Sequence, residues 1–451
     1  MQIIIVGCGE LGISLTAQLS SENNQISVID TNYHIVKHTA NTYDVLGIVG
    51  NGASYYTLSE ADIEHTDLLI AVTESDELNL LCCIIAKKAG HCQTIARVCN
   101  PMYLQDSQFI REELDLSMII NPEFSVAQEI SRLLNFPSAI EIDVFSNGYV
   151  EALSYLVSEN SPLDGLPIYS LRQDLKTNIL IAAVSRNNDV TIPNGNFILR
   201  SGDMISIIAP HRDCRDFFHK IGLKTKKVKN TILIGGSNIS VYLTKMLEKM
   251  AINVKIIEAD PHLCEELSNL LPHTTIIHGN GNDEALLDEE RLSDADSVVT
   301  LIDSDEENIL LSLYIMDKVN TKVVTKISRL QLGDVAKKLN LGSIVYPQKT
   351  TIETILRYVR ATKSSLGSNI ETLSRFMDNR VEALEFIVRE NPKITNIPLL
   401  ELSLKTDIII GCILRGNIVI YPSGKDVIMP GDYVIVVSTP QQLRDIEDIL
   451  A

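Results

Sequence analysis

The chain has 451 residues, a formal net charge of −19, no Trp and few aromatic residues. So acidic a chain is excluded as a nucleic-acid binder or as a partner for a broad anionic membrane surface, because both demand clustered Lys and Arg. Eight cysteines with no C-x-x-C pair and no zinc-like spacing argue against a disulfide framework and for a reducing cytoplasm.

The first predicted strand, QIIIVG, begins at Gln2, which leaves no room for a signal peptide; no run of about 18 apolar residues follows anywhere to span a bilayer. The strand runs into GCGELG, where Gly7, Gly9 and Gly12 satisfy G-x-G-x-x-G. Gly7 permits the tight turn, Gly9 lets backbone amides approach a pyrophosphate, and Gly12 lets the helix pack close on the sheet. The anion then rests on the helix N-terminus, against the backbone of Cys8, Glu10 and Leu11. The second strand, QISVID, ends at Asp30, 18 residues past Gly12. An acid there accepts from a ribose 2′-OH and repels a 2′-phosphate, which favours NAD(H) over NADP(H).

The third strand, DVLGIVG, ends in GNG, bringing Asn51 and Gly52 either to the ligand edge or into a plain turn. The fourth, DLLIAVT, delivers Thr73 and Glu74, whose backbone atoms line the same cleft; in ESDE, Ser75 reads as a helix N-cap and the acids after it as first-turn residues. TIARV ends near Arg97, placed either to meet a phosphate or to form a surface salt bridge, and MIINP leads to Pro122. A helix, EFSVAQEISRLLN, follows. Beyond it come ILIAAVSR, a turn at PNG and SGDMISIIA, which read as a small α+β domain with hairpin turns. The basic stretch KTKKVKN at 224–230 reads as a solvated linker.

The series then repeats. TILIGG, VKIIEAD, TTIIHG, SVVTLID, KVVTKI and SIVYP answer the first six strands, and TIETILRYVRAT, IIIGCILR, PSG and PGDYVIVVS answer the rest. Gly7 and Asp30 recur as Gly235 and Glu258 at an offset of 228; GNG recurs at 279–281 with Asn280 and Gly281, at an offset of 229. Ile302 and Asp303 match Thr73 and Glu74, and Lys326 matches Arg97. The second fingerprint keeps Gly235 and Gly236 but has Ser237 and Ser240 where glycines are expected, around Asn238 and Ile239. Ser237 brings a Cβ toward the phosphate path and Ser240 is expected to loosen helix packing, so a working second site and a lost one both stay open. Strands alternating with helical patterns mean βαβ units. The chain therefore reads as α/β: two tandem Rossmann-like, doubly wound parallel-sheet domains at 1–122 and 229–348, each followed by a small α+β domain, at 138–221 and 370–451.

These motifs, duplicated in order, resemble the TrkA family, the cytosolic regulatory subunits of Trk-type potassium uptake systems. The resemblance rests on IIIVGCGELG, Asp30, GNGAS, LIAVTESDELNLL and PGD, and covers essentially the whole chain. It implies two RCK domains (regulators of potassium conductance), each a Rossmann-like lobe with a C-terminal lobe. It further implies binding of NAD(H) and ATP or ADP without chemistry on the ligand, and a homotetrameric ring beneath a membrane channel subunit. Ser237 and Ser240 depart from the family's glycine pattern, which bears on the second site's affinity.

Two rivals remain: an NAD-dependent oxidoreductase and a ligand-free scaffold. A dehydrogenase needs an acid or base beside the nicotinamide. YHIVK, from Tyr33 to Lys37, has a reductase-like Tyr-x-x-x-Lys spacing but follows Asp30, at the adenosine end of the cleft, and reads as helix surface.

Overall fold

The computed structural model describes residues 1–451 apart from residues 23, 137, 146–148, 160, 174–176, 188, 223–226, 330–331, 365–369, 378–379, 390–392, 417, 442 and 444. The basic stretch read as a linker lies partly outside the described residues.

The strands β1 (Gln2–Val6), β2 (Gln25–Asp30), β3 (Leu46–Val49), β4 (Leu68–Ala71), β5 (Gln93–Arg97) and β6 (Met118–Ile120) form a parallel sheet in the order β3-β2-β1-β4-β5-β6. Ile3, Ile4 and Ile5 are each at most 1% exposed, so both faces of β1 are covered. That is why β1 is apolar at every inner position rather than alternating. The order reverses between β1 and β4, so the connections leaving their carboxyl ends diverge to opposite faces and open a crevice.

Next come β7 (Glu141–Phe145), β8 (Val150–Leu156), β9 (Leu180–Arg186), β10 (Asp189–Thr191) and β11 (Met204–Ala209), an antiparallel sheet ordered β10-β9-β11-β8-β7. The second half repeats both sheets. The parallel one holds β12 (Asn230–Ile234), β13 (Asn253–Glu258), β14 (Thr275–His278), β15 (Ser297–Thr300), β16 (Lys322–Lys326) and β17 (Ser343–Val345), ordered β14-β13-β12-β15-β16-β17. The antiparallel one holds β18 (Ile370–Phe376), β19 (Val381–Ile387), β20 (Ile408–Arg415), β21 (Ile418–Ile420) and β22 (Tyr433–Ser438), ordered β18-β19-β22-β20-β21. The tandem α/β architecture expected from the strand pattern is the one observed, with all six strands named for each parallel sheet; the small sheets hold strands the pattern did not single out, among them β7 and β18.

The recurring Gly-Asp pair has a definite job in the small lobes. Asp203 is 0% exposed and accepts from Arg186 Nε and Nη2, both at 2.7 Å, and from the Arg200 amide at 2.7 Å. Asp432 does the same with Arg415 Nε and Nη2 at 2.8 Å and the Met429 amide at 2.8 Å. A bidentate guanidinium fork thus ties the hairpin strand to the tight turn. The two small sheets share one core, in which Ala152, Ala183 and Ile208 meet Ala383, Cys412 and Ile435. Tyr421 Oη donates to Asp213 Oδ2 at 2.6 Å across that junction.

The helices that follow Pro122 and Pro347 are exchanged between halves. The helix Pro122–Asn135 presents Val126, Ile130 and Leu133 to Ile239, Leu243 and Leu247 of the second half. The helix Pro347–Ser364 presents Ile352, Ile355, Leu356 and Val359 to Leu15, Leu19 and the sheet residues Ile3 and Ile5 of the first. Each half therefore seals the helix-covered face of the other's parallel sheet.

Candidate functional site

The crevice at the carboxyl end of the first sheet is built from the loop after β1. Gly7 sits at φ +101°, a region closed to most side chains. A Cβ on Gly12 would lie 1.8 Å from the Gly7 carbonyl oxygen, so the third glycine is what lets the helix Glu10–Ser21 start against the loop. A Cβ on Gly9 would meet no atom within 4 Å. Gly9 is thus not needed for packing; the open space above it is the cradle a side chain would fill. Gly9 is also the N-cap of that helix and brings no capping side chain, while the first helical amides have no intrahelical partners. The helices after β4 and β15 differ: Ser75 Oγ accepts from the Leu78 amide at 3.2 Å and Ser304 Oγ from the Glu307 amide at 3.3 Å. Ser75 is the N-cap expected of it, and Ser304 caps the matching helix of the second half in the same way.

Asp30 faces this loop. Its Oδ2 accepts from the Cys8 amide at 2.7 Å and its Oδ1 from the Asn32 amide at 2.9 Å. The carboxylate braces the turn, and the Cys8 amide is spent on it. The Cys8 side chain points into the core and is 1% exposed; burial, with the Asp30 charge second, pushes its thiol up to about 12. Glu258 repeats the brace in the second half, with Oε2 accepting from the Gly236 amide at 2.5 Å and Oε1 from the Asp260 amide at 2.8 Å.

The GNG turns are packed as well as turned. A Cβ on Gly52 would lie 2.2 Å from Val6 Cγ1, and one on Gly281 2.2 Å from Ile234 Cγ2, so both turns fold down onto the end of the central strand. Asn51 Oδ1 accepts from the Ala53 amide and Asn280 Oδ1 from the Asn282 amide, each at 2.9 Å. Glu74 and Asp303 are exposed, Leu11 and Ile302 are partly buried against the cores, and Ile239 is buried.

Two residues that sequence reading left without a role organise the far wall. Asn79, fully buried, accepts through Oδ1 from the Thr73 amide and hydroxyl at 2.8 and 2.7 Å. Its Nδ2 donates to the carbonyls of Thr73 and Arg97 at 3.1 and 3.0 Å. Asn308 repeats this between Ile302 and Lys326. The signal lay in TESDELN and IDSDEEN, whose last residue recurs, but its partners become visible only once β4 and β5 are neighbours. The Thr73 amide is consequently not free for a ligand. The acids Asp76 and Asp305 likewise hold loop amides, those of Cys99 and Asn100 and of Ser328 and Arg329.

Arg97 Nη1 donates to the Thr73 carbonyl at 3.1 Å, and its buried Nε has no partner among the described residues. Lys326 is 6% exposed, with Asp303 Oδ1 at 3.8 Å; burial lowers its ammonium, opposed by Asp303, Asp305 and Glu123. Glu123, on the exchanged helix, lies beside Asn238, the first residue of the second fingerprint helix, and its buried Oε2 has no partner among the described residues; burial raises its carboxyl, opposed by Asn238, Arg97 and Lys326. The mirror contact is Gln348 Nε2 to Glu10 Oε2 at 2.5 Å. Each fingerprint helix is thus touched at its first residue by the helix arriving from the other half.

The second fingerprint departs from expectation at Ser240. Its hydroxyl donates to the Gly235 carbonyl at 2.5 Å and the residue is fully buried, so the serine ties helix to loop where the first copy needs no side chain at all. Ser237, the N-cap, makes no capping bond, and its buried Oγ has no partner among the described residues. Tyr33 is 55% exposed and lies under Lys37 Nζ at 5.7 Å, a cation–π pair on the helix surface.

The TrkA-N domain profile matches residues 3–122 and 231–347, and the TrkA-C domain profile matches residues 153–222 and 383–451. A Trk system potassium uptake protein TrkA homolog of Archaeoglobus fulgidus is 32% identical over 450 residues, spanning 100% of both chains. The Trk system potassium uptake protein TrkA of Halomonas elongata is 30% identical over 451 residues, covering 99% of this chain and 98% of its own. Among solved structures, the GsuK channel bound to NAD superposes with a TM-score of 0.63 at 15% identity, covering 98% of this chain and 77% of that one.

Proposed function

Because the chain belongs to the TrkA family, we propose that it is a nucleotide-sensing, non-enzymatic regulatory subunit of a Trk-type potassium uptake system. In this reading it binds NAD(H), and ATP or ADP, and controls potassium flux through a membrane channel subunit. The observation that carries it is the unfilled cradle over Gly9, at an uncapped helix N-terminus, with a carboxylate 18 residues past Gly12 at the end of β2.

The residues fit the group. Gly7, Gly9, Glu10, Leu11 and Gly12 offer a pyrophosphate backbone amides and the positive end of the helix dipole. Asp30 has lone pairs beyond its two amide bonds to accept from a ribose, and Cys8 serves through the turn it holds. Asn51, Gly52, Thr73, Glu74 and Arg97 complete the walls, with Arg97 as the phosphate cation. In the second half Gly235, Gly236, Ser237, Asn238, Ile239, Glu258, Asn280, Gly281, Ile302, Asp303 and Lys326 take the same places. The unpartnered Ser237 hydroxyl supports a ligand there too. When bound, a nicotinamide cofactor would supply a redox-dependent charge, to be sensed rather than used.

Sensing follows from the exchanged helices. A ligand shifts a conformational equilibrium only by its difference in affinity between the states, and tenfold is about 1.4 kcal/mol per site. A phosphate at Glu10 or Asn238 disturbs the Gln348 or Glu123 contact from the opposite half, so occupancy of one lobe biases the packing of both. The lobes are taken as 1–122, 138–221, 229–348 and 370–451. Leu81, Met102 and Phe109 on the first half and Leu310, Val335 and Leu339 on the second are all at least 40% exposed, which supports burial in a homo-oligomer, a tetrameric ring. No helix among the described residues is long and apolar enough to cross a membrane. In this reading the ring sits on the cytoplasmic face of the membrane through its channel partner.

The test is calorimetric titration with NADH of the wild type and of Asp30→Asn, which keeps an acceptor for the Cys8 amide. We expect the variant to bind about tenfold more weakly. Equal affinity would remove Asp30 from the ribose, and no binding at all would leave the scaffold reading.

A further inference from the structure

The duplication exposes a difference between the halves that the fingerprint does not involve. Beside β6, the outermost strand of the first sheet, lies a cavity of about 460 Å³, within the about 300–1,000 Å³ usual for small-molecule sites. Its walls are β6, the short helix Ser107–Glu113, the start of the helix Pro122–Asn135, and one face of the helix Pro347–Ser364 from the other half.

Counted from Pro122 and Pro347, the same place in the second half is lined by apolar residues. Where the first half has Ser107, Gln108, Arg111 and Asn121, the second has Leu332, Gly333, Ala336 and Tyr346. There Leu332, Ala336 and Tyr346 join one apolar cluster, and a Cβ on Gly333 would already crowd the Tyr346 hydroxyl at 3.2 Å. Where the cavity has Thr354, the second half has Glu129, whose carboxylate accepts from Thr350 Oγ1 at 3.0 Å. One copy sets apolar side chains and a carboxylate there; the other keeps a cavity lined with polar, carboxylate-free residues.

The lining specifies a ligand. In a chain of net charge −19, no carboxylate lines the cavity, and Arg111 has no ion pair among the described residues. A guanidinium so placed suits an anion. The hydroxyls of Ser125, Thr351 and Thr354 donate to the carbonyls of Asn121, Pro347 and Thr350 at 3.0, 2.9 and 2.9 Å, leaving oxygen lone pairs to accept from a ligand. Ser117 Oγ accepts from the Thr94 amide at 3.1 Å, so its own proton is available to an anion. Ile120 and Phe124 supply an apolar wall.

We propose that this cavity binds a nucleoside monophosphate, separately from the fingerprint crevices. The phosphate sits at Arg111 and Ser117, the ribose hydroxyls donate to Thr351 and Thr354, and the base lies on Ile120 and Phe124. Because Thr351 and Thr354 belong to the exchanged helix, the ligand bridges the two halves.

The full-length protein is titrated calorimetrically with AMP, GMP, CMP and UMP, with and without saturating NADH, so that failure of NADH to bind leaves the result readable. We expect at least one nucleoside monophosphate to bind once per chain with NADH present. Arg111→Ala should weaken that binding at least tenfold, and Thr354→Glu, which places there the carboxylate that the second half carries as Glu129, should abolish it. Both should leave the NADH isotherm unchanged. Absence of any NADH-independent binding, equal binding by both variants, or displacement by inorganic phosphate at the same concentration as the nucleotide would each overturn the proposal.

Discussion

Glycines that share one motif have different physical duties, and substitutions separate them. Gly9 faces open space, so Gly9→Val should leave the melting temperature within about 2 °C of wild type while removing NADH binding by the first lobe. Gly12 abuts the Gly7 carbonyl, so Gly12→Ala should displace the helix and lower stability by about 1–3 kcal/mol, read by chemical denaturation. Equal behaviour of the two variants would mean that Gly9 is a packing residue after all. At this scale the spacing of Gly7, Gly9, Gly12 and Asp30 was legible in the sequence, because the chemistry of a backbone cradle dictates it. What Asp30 and Glu258 also do, bracing the loop through the Cys8 and Gly236 amides, was not, since a carboxylate at a strand end can turn toward the loop as readily as toward a ligand.

At the scale of elements, buried charges both within a lobe and between lobes bear on stability. Asp203→Ala leaves the Arg186 fork without its anion and should cost about 3 kcal/mol in denaturant unfolding, even though Arg186 itself is partly exposed. A loss below about 0.5 kcal/mol would show the fork to be surface decoration. Lys322, at the start of β16, donates to Ala139 O at 2.5 Å and Ser343 Oγ at 2.8 Å, joining the second sheet to the chain entering the first small lobe. Burial lowers its ammonium to about 7 from 10.5. Between those values the unfolded chain binds more protons than the folded one, so this group's contribution is intact above 10.5 and lost as pH falls through 7. Unfolding free energy should therefore rise with pH over that window by up to about 1.4 kcal/mol per unit, and Lys322→Met should flatten the rise. A slope that survives the substitution would place its source elsewhere. The strands of the parallel sheets, their doubly wound character and the N-cap at Ser75 were readable from pattern alone. The exchange of the two proline-led helices was not: the apolar faces of EFSVAQEISRLLN and TIETILRYVRAT say that each must be buried, but not against which half.

Across the whole molecule, the duplication produces two similar lobes that are not equivalent. The first fingerprint is open and uncapped, the second carries Ser237 and Ser240, and the exchanged helices reach the start of each lobe's fingerprint helix from the other half, Gln348 bonding Glu10 and Glu123 lying beside Asn238. In the function proposed above, nucleotide at one lobe would be felt by the other, and a ring of such chains would add several modest preferences into one response. The measurement that bears on this most directly is potassium flux into vesicles holding the Trk-type channel subunit with this chain bound, under NADH, NAD⁺, ATP and ADP in turn. Flux should change with at least one nucleotide for the wild type and lose the NAD(H) response with Gly9→Val. Flux indifferent to every nucleotide, with the complex still intact, would contradict it.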